Sequence, residues 1–323
     1  MKVLIVTNIY PSDGHPYHGI FVKEQVEAIK RLHSNVDIDV HYINGFGGKI
    51  EYLKSIWGVN RRIYNGHYDL VHIHYGLSGI YLYWPFTSKI PTVVTFHGSD
   101  IQPQGGNGII SVIVSRKVAR MADAAIILND DMEAMVKPYC HRTYMIPCAV
   151  DMNTFKPMHR TVNHTKTQII FPSSHERQVK NYPLFCEVLR ILKEKYDIDA
   201  EERELKNLTR VQIAQLYSNS DILLMTSKSE GSPQAVKEAM CCNLSCVSTP
   251  VGDVKVLLDG VRNSYVANTH SVEELAELVA KSLRMDGVGL TGREKAIKMQ
   301  LDEESIANKV YNLYNEILKL KKK

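Results

Sequence analysis

The chain has 323 residues, of which 44% are hydrophobic, and Lys and Arg number 39 against 35 Asp and Glu, for a net charge of +4. This length is enough for two domains with separate cores. The basic excess is too small to indicate a nucleic-acid partner, and no apolar run is long enough to cross a bilayer. The apolar start, Met1 to Val6, is only as long as a strand, so we expect no signal peptide and a cytoplasmic protein.

The first half alternates strands and helices. Strands are predicted at 2–8, 36–43, 70–75, 91–97, 124–128 and 143–146, and a helix at 19–33. This alternation predicts a parallel, doubly wound sheet, in which ligands bind beyond the carboxyl ends of the strands. His97 ends an apolar strand at that edge and is a candidate functional residue. His72 and His74 alternate along one strand and are interpreted as buried structural residues.

The loop 10–19 leads to a helix start at Gly19 that could meet a phosphate. It contains neither G-x-G-x-x-G nor a Walker lysine, so the dinucleotide-dehydrogenase and P-loop interpretations lose their main support. Further along, Arg116, Lys117 and Arg120 share one helix face. A solvated face is the ordinary interpretation, and contact with anionic lipid headgroups is the alternative.

The second half begins with a strand at 168–171, followed by a loop that carries Arg177 and Lys180 and a helix at 182–195. A second strand, at 221–226, leads into a loop and a helix. Ser232 is a suitable N-cap and Pro233 a suitable first helical residue, so the helix is predicted to begin at Pro233.

Two carboxylates, Glu230 and Glu238, lie on either side of this helix start, about 8 to 10 Å apart along the axis. Free backbone N–H groups there favour phosphate, and carboxylates accept hydrogen bonds from sugar hydroxyls. A nucleoside diphosphate sugar fits this layout. From spacing alone, however, a solvated glutamate and a loop charge remain the more ordinary interpretation.

The run from Glu230 through Gly-Ser-Pro-Gln-Ala-Val-Lys to Glu238, followed by Thr249-Pro-Val-Gly-Asp253, resembles the E-x7-E signature of family 4 retaining glycosyltransferases. The resemblance implies the α/β GT-B fold, in which two Rossmann-like, doubly wound parallel-sheet domains face a central cleft. It implies an acceptor-side domain at 1–157, a nucleotide-sugar domain at 165–302, and a last helix at 303–323 that returns to the first domain.

The resemblance also implies roles for individual residues. The catalytic group would be His97, Glu230, Arg177 and Lys180, with His97 near the donor sugar and the two cations on the diphosphate. The donor-binding group would be Gly19, Ser232, Pro233, Gln234 and Glu238. Three departures from the family pattern are a single glycine at Gly19, no glycine-rich turn after 198–205, and Asn243 where a helix-ending glycine is usual.

The activity implied is transfer of a sugar, with retention of configuration, from a UDP-linked or alternatively GDP-linked donor. The acceptor would be a saccharide or lipid-linked saccharide of the cell surface, contacted by loops 10–19 and 101–108, with peripheral contact to the inner face of an anionic membrane. Neither a metal nor a cofactor is expected. The two D-x-D tripeptides, at 37–39 and 197–199, open strands at the end opposite the predicted site, and the six cysteines have no histidine at metal-ligand spacing.

Two alternatives to this function remain: a nucleotide-sugar epimerase of the same fold, and a non-catalytic partner subunit.

Overall fold

The computed structural model describes residues 1–87, 89–102, 108–161, 164–284 and 287–321. The chain divides into two compact units. The first contains Met1–Ala149 and the C-terminal helix from Glu303, and the second contains Val150–Asp302.

The first unit is built on a parallel six-stranded sheet. Its strands are β1 (Lys2–Thr7), β2 (Asp37–Tyr42), β3 (Leu70–His74), β4 (Thr92–Thr95), β5 (Ala124–Ile127) and β6 (Thr143–Met145). The spatial order is β2-β1-β3-β4-β5-β6, so the chain reverses its direction of winding beside β1 and β3. The connecting helices are α1 (Ile20–Leu32), α2 (Lys49–Gly66), α3 (Gly108–Met121) and α4 (Asp130–Val136), with 3-10 segments at Gly45–Gly47 and Gly76–Tyr83.

The second unit is built on a parallel five-stranded sheet in the order β11-β10-β9-β7-β8. Its strands are β7 (Thr167–Phe171), β8 (Ala200–Glu204), β9 (Ile222–Met225), β10 (Ser245–Ser248) and β11 (Tyr265–Val266). Its helices are α5 (Tyr182–Tyr196), α6 (Arg210–Ser218), α7 (Gln234–Cys241), α8 (Val254–Leu258), α9 (Val272–Arg284) and α10 (Gly292–Lys298). The last helix, α11 (Glu303–Lys321), belongs to the first unit.

Alternate residues of the first sheet supply two separate cores, as expected when both faces are covered. Leu4, Val6 and Ile73 face a core shared with α2, the segment Gly76–Tyr83, α3 and α4. Val3 and Ile5 face the opposite core, to which α1 and α11 contribute. The predicted α/β fold with two doubly wound parallel sheets is therefore confirmed.

Residues 150–157, predicted to belong to the first domain, pack in the second unit. Val150 N–H donates to the Leu301 carbonyl over 2.8 Å, and Phe155 is fully buried in the second core. The Arg293 guanidinium donates to the carbonyls of Met152 and Phe155, at 3.0 and 2.8 Å. These contacts hold residues 150–157 against the rest of the second unit.

Two further local features concern the ends of helices. Between Val272 and Lys321, the described residues form three helices, α9, α10 and α11. Asn243, which stands where the family usually has a helix-ending glycine, has φ 60°, the left-handed conformation typical of such a position.

Candidate active site

In the second unit, Lys180 and Glu230 meet at the carboxyl ends of neighbouring strands. Lys180 ends the 3-10 turn Gln178–Lys180, which follows β7, and Glu230 lies in the loop after β9. The Lys180 Nζ atom lies 2.6 Å from Glu230 Oε1, which also accepts a hydrogen bond from Ser227 Oγ at 2.7 Å. Thr226 Oγ1 donates to the Lys180 carbonyl at 3.0 Å, which fixes the turn against β9. Two predicted catalytic residues that are far apart in sequence therefore form one largely buried ion pair.

Arg177 lies on the same turn but is exposed. Its backbone N–H donates to the Ser174 carbonyl at 3.2 Å, and its carbonyl accepts from Lys180 N–H at 2.8 Å. Among the described residues, no hydrogen bond or ion pair holds its guanidinium. The turn thus presents one cation to solvent beside another that is internally paired.

The start of α7 differs from the prediction by one residue. The helix begins at Gln234 and Pro233 is the capping residue, with extended backbone angles of φ −69° and ψ 113° and no side-chain capping bond. Ser232, predicted to be the cap, instead donates from Oγ to Asp253 Oδ2 at 2.6 Å. Because the helix begins one residue later than predicted, Ser232 lies one position before the capping residue, and its hydroxyl connects two loops.

Asp253 and Gly252 hold the loop after β10 against the start of α7. Burial raises the pKa of the Asp253 carboxyl above its usual range. Gly252 has φ 54°, and a Cβ atom there would lie 2.5 Å from the Gly231 carbonyl oxygen. The two loops therefore approach so closely that a side chain at position 252 would not fit.

Glu238 is buried on α7 and is not a solvated surface glutamate. Its Oε1 atom pairs with the Arg210 guanidinium, and its Oε2 accepts from the Tyr217 hydroxyl at 3.4 Å. The guanidinium carbon of Arg210 lies 4.5 Å from the centre of the Phe155 ring, which suits a cation–π contact. Burial raises the pKa of the Glu238 carboxyl, and the positive charge of Arg210 opposes that shift.

Sequence reasoning missed Arg210 as a site residue. It is the first residue of α6 and is separated from Glu238 by 28 positions. A carboxylate one turn inside a helix that packs on a sheet signals that some cation is needed, but the sequence does not identify which one.

In the first unit, His97 follows β4 and contacts His74 on β3. The His97 Nε2 atom lies 3.2 Å from His74 Nδ1, and the rings are stacked. His97 N–H donates to Asp100 Oδ1 at 3.0 Å, and Gly76 N–H donates to Asp100 Oδ2 at 2.8 Å. Asp100 thus ties together the segments that follow β3 and β4. Burial raises the pKa of its carboxyl to about 6, although those two N–H groups favour the ionised form.

The prediction that His72 and His74 are buried is confirmed. His72 is fixed by the Tyr314 hydroxyl of α11, 2.6 Å from Nδ1, and by Thr95 Oγ1, 2.7 Å from Nε2. Burial, with a smaller contribution from the nearby His97 charge, lowers the pKa of His72 to about 3. Burial also lowers the pKa of His74, so both rings are neutral at ordinary pH.

Gly19 precedes α1 and has φ 68°. A Cβ atom at this position would lie 2.3 Å from the Ile9 carbonyl group. The close approach of the loop 10–19 to the end of β1 therefore requires glycine, and the predicted helix start at 19 is shifted by one residue to Ile20.

The predicted site residues divide between the units. Arg177, Lys180, Glu230 and the α7 residues lie in the second, and Gly19 and His97 lie in the first. Residues 103–107 of the predicted acceptor loop 101–108 lie outside the described residues, as do residues 322–323 of the predicted last helix.

Within the described ranges, no group of three or more His, Cys, Asp or Glu side chains is placed to hold a metal ion. No helix in the same ranges is both long and apolar enough to span a membrane.

Comparisons with known proteins agree with the architecture. Residues 10–154 match the family described as Glycosyltransferase Family 4, and residues 166–285 match that described as Glycosyl transferases group 1. The N-acetyl-alpha-D-glucosaminyl L-malate synthase of Bacillus anthracis is 22% identical over 294 residues, covering 78% of this chain and 75% of that protein. The putative teichuronic acid biosynthesis glycosyltransferase TuaC of Bacillus subtilis is 21% identical over 349 residues, covering 87% and 89%.

Among solved structures, the Anabaena protein HepE in complex with UDP and glucose superimposes with a TM-score of 0.71 at 14% identity, covering 98% of this chain and 100% of that one. This likeness concerns the fold. The two family matches together include every strand of both sheets except β1, and they include the E-x7-E segment. The chain is therefore a glycosyltransferase that belongs to family 4 and has the GT-B fold.

Proposed function

We propose that this glycosyltransferase transfers a sugar from a UDP-linked donor to a hydroxyl group of a saccharide or lipid-linked saccharide during cell-surface polysaccharide synthesis. Transfer would retain the anomeric configuration and would not require a metal. The UDP bound to HepE supports the choice of base, with GDP as the alternative, and the name of the teichuronic acid relative supports the acceptor class. The second unit is assigned the donor and the first unit the acceptor, as the family resemblance implies.

The observation that carries this proposal is the arrangement at the ends of β7 and β9. Lys180 is largely buried 2.6 Å from Glu230, and the exposed Arg177 lies on the same turn. The departing diphosphate carries the charge that builds up during transfer, and cations held in a partly dry position stabilise that charge strongly. Glu230 already accepts hydrogen bonds through Oε1, so its carboxylate is oriented to receive a sugar hydroxyl at its other oxygen.

The remaining donor-binding residues are assigned around α7. The start of α7 is assigned to the diphosphate, because the positive end of a helix dipole favours an anion and Pro233 makes no side-chain capping bond there. Glu238 would contact the nucleoside while held in place by Arg210. In the first unit, His97 is assigned to contact the donor sugar. Gly19 is assigned to let the loop 10–19 approach the phosphates.

The test is a panel of UDP-linked and GDP-linked sugars, each with and without EDTA. We expect thermal stabilisation by UDP, turnover that depends on an acceptor and survives EDTA, and a product with the donor's anomeric configuration by NMR. Isomerised donor formed without acceptor would assign the protein as an epimerase, and no stabilisation by any nucleotide would assign it as a non-catalytic subunit.

Substitution of either cation tests the residue assignment. We expect Lys180→Ala and Arg177→Ala each to lower kcat/KM by roughly tenfold to a hundredfold, because each removes a charge-assisted hydrogen bond worth about 1.5 to 3 kcal/mol. Lys193→Ala is the matched control, since Lys193 is an exposed cation on α5. An equal loss of kcat/KM in all three variants would contradict the assignment of Lys180 and Arg177 to the diphosphate.

A further inference from the structure

His74 is buried at the carboxyl end of β3, a strand that lies between β1 and β4 in the first sheet. One of its two ring nitrogens, Nδ1, lies 3.2 Å from Nε2 of His97. The other, Nε2, is buried and has no hydrogen-bond partner among the described residues. Buried polar atoms are rarely left without a partner, so this nitrogen restricts where the ring can carry a proton.

The His74 ring carries a single proton. Burial lowers the pKa of His74 well below its usual range, and repulsion from His72 and His97 lowers it further. A neutral imidazole has one N–H donor and one lone-pair acceptor, on different nitrogens. A proton on Nε2 would leave a buried donor unmet, whereas a proton on Nδ1 donates to His97 and leaves only an acceptor unmet. Among backbone groups, unmet buried donors are rarer than unmet acceptors, and the same preference places the ring proton on Nδ1.

Neighbouring side chains hold the His74 ring in place. The ring centre of His72 lies 4.2 Å from that of His74. His72 is in turn held at both nitrogens, by the hydroxyls of Tyr314 and Thr95. The rings of His74 and His97 are nearly parallel, with 19° between their planes. The His74 donor therefore meets His97 with little freedom to turn away.

We propose that His74 is a positioning residue that fixes the tautomer of His97, with the His97 proton on Nδ1. Because Nε2 of His97 accepts the proton of His74, a neutral His97 ring has to carry its own proton on the other nitrogen. His97 then offers an N–H donor at Nδ1, which suits a hydroxyl oxygen of the donor sugar. This inference deepens the proposed function and rests on its assignment of His97 to that sugar.

The experiment reads the tautomer by ¹⁵N NMR of the full-length protein labelled at histidine, at about pH 8, where ordinary histidines are neutral. No substrate is added, and the signals of His97 are assigned by their loss in His97→Gln. In the wild type we expect a protonated Nδ1 and an unprotonated Nε2 in His97. In His74→Leu, which removes the donor and keeps an apolar side chain, both tautomers of His97 should be populated. His74→Asn, whose amide can place an N–H near the position of Nδ1, should restore the wild-type tautomer.

Turnover gives a second readout. His74→Leu should lower kcat/KM for the donor about two- to tenfold, the effect of losing one neutral hydrogen bond, and His74→Asn should regain most of it. Stabilisation by UDP alone should be unchanged in both variants, because His97 is assigned to the sugar and not to the diphosphate. The matched control is His33→Leu, which should change neither readout. His33 also has a buried Nε2 without a partner among the described residues, but its ring stacks on Tyr311, 3.7 Å away.

A wild-type His97 that carries its proton on Nε2 would overturn the proposal, and this measurement needs no variant to fold. The proposal would also fail if His97 kept the wild-type tautomer in His74→Leu. Equal losses of kcat/KM in His74→Leu and His74→Asn, or in His74→Leu and His33→Leu, would leave His74 with a packing role only. Because the tautomer is read without substrate, failure here is distinct from failure of the proposed donor chemistry.

Discussion

Replacing Arg210 by alanine should strongly destabilise the second unit, because it leaves the Glu238 carboxylate buried without its cation. The side chains of this pair are only 18% and 6% exposed. Breaking a buried pair by removing one partner costs about 3 to 5 kcal/mol, mostly through the charge left behind. The lost contact with the Phe155 ring adds to this cost. We therefore expect Arg210→Ala to lower the free energy of unfolding of the second unit by about 3 to 5 kcal/mol.

The assay is urea unfolding followed by far-UV circular dichroism, with Arg190→Ala as the matched control. Arg190 pairs with Glu194 on the surface of α5, where the side chains are 51% and 56% exposed, so its loss should cost at most about 1 kcal/mol. Adding Glu238→Gln to Arg210→Ala should recover part of the loss, because no buried charge then remains. Equal costs in Arg210→Ala and Arg190→Ala would refute the reasoning.

The pH dependence of the same variant gives an independent check. Burial already raises the pKa of Glu238 above its unfolded value, and removing Arg210 should raise it further. A raised carboxyl pKa means that the folded state holds the proton more tightly, so the penalty is absent below the unfolded pKa and grows as pH rises through the folded pKa. The difference in stability between the variant and the wild type should therefore shrink as pH is lowered from neutral towards 4.5.

Two further predictions concern the first unit, whose unfolding can be followed by tryptophan fluorescence because both tryptophans belong to it. Burial holds the pKa of His72 at about 3, below its unfolded value of 6.5, so its contribution to stability is present above 6.5 and is lost as pH falls. Lowering the pH from 7 to 5 should therefore cost about 2 kcal/mol through His72 alone, and a His72→Asn variant that shows the same pH dependence would contradict this account. Gly19→Ala should destabilise the unit by about 2 kcal/mol or more, because φ is 68° and the added Cβ would lie 2.3 Å from the Ile9 carbonyl. Gly14→Ala, where nothing lies within 4 Å, should be neutral, and equal stabilities of the two variants would show that Gly19 is not under this constraint.

The sequence predicted the two sheets well, because continuous apolar strands separated by helices admit few arrangements. It was less successful with the environment of the E-x7-E segment. Ser232 was predicted to cap α7, but the helix begins one residue later, and the Ser232 hydroxyl donates to Asp253, which lies 21 residues later in the chain. Glu238 was given no cation, because Arg210 reaches it from a different helix. Such pairings depend on tertiary packing, which no local pattern of residues encodes.

The surface of α3 shows the same limit in the first unit. Three cations on one helix face, Arg116, Lys117 and Arg120, could be identified from spacing. The outward position of Ile109 and Ile113 could not, because an isoleucine-rich helix start also fits a buried one. Only the fold shows that serines of α3 occupy the inner positions.

The position of α11 has a consequence for how the protein is made. This helix seals one core of the first unit with six buried side chains: Ile306, Ala307, Val310, Leu313, Tyr314 and Ile317. During synthesis the amino-terminal sheet therefore leaves the ribosome with that apolar surface open, and it stays open while the whole second unit is translated. The contact between His72 and the Tyr314 hydroxyl likewise cannot form until α11 has been translated. A ribosome-nascent chain that ends before Glu303 should accordingly be a better chaperone client and protease substrate in its first 149 residues than in the unit that follows.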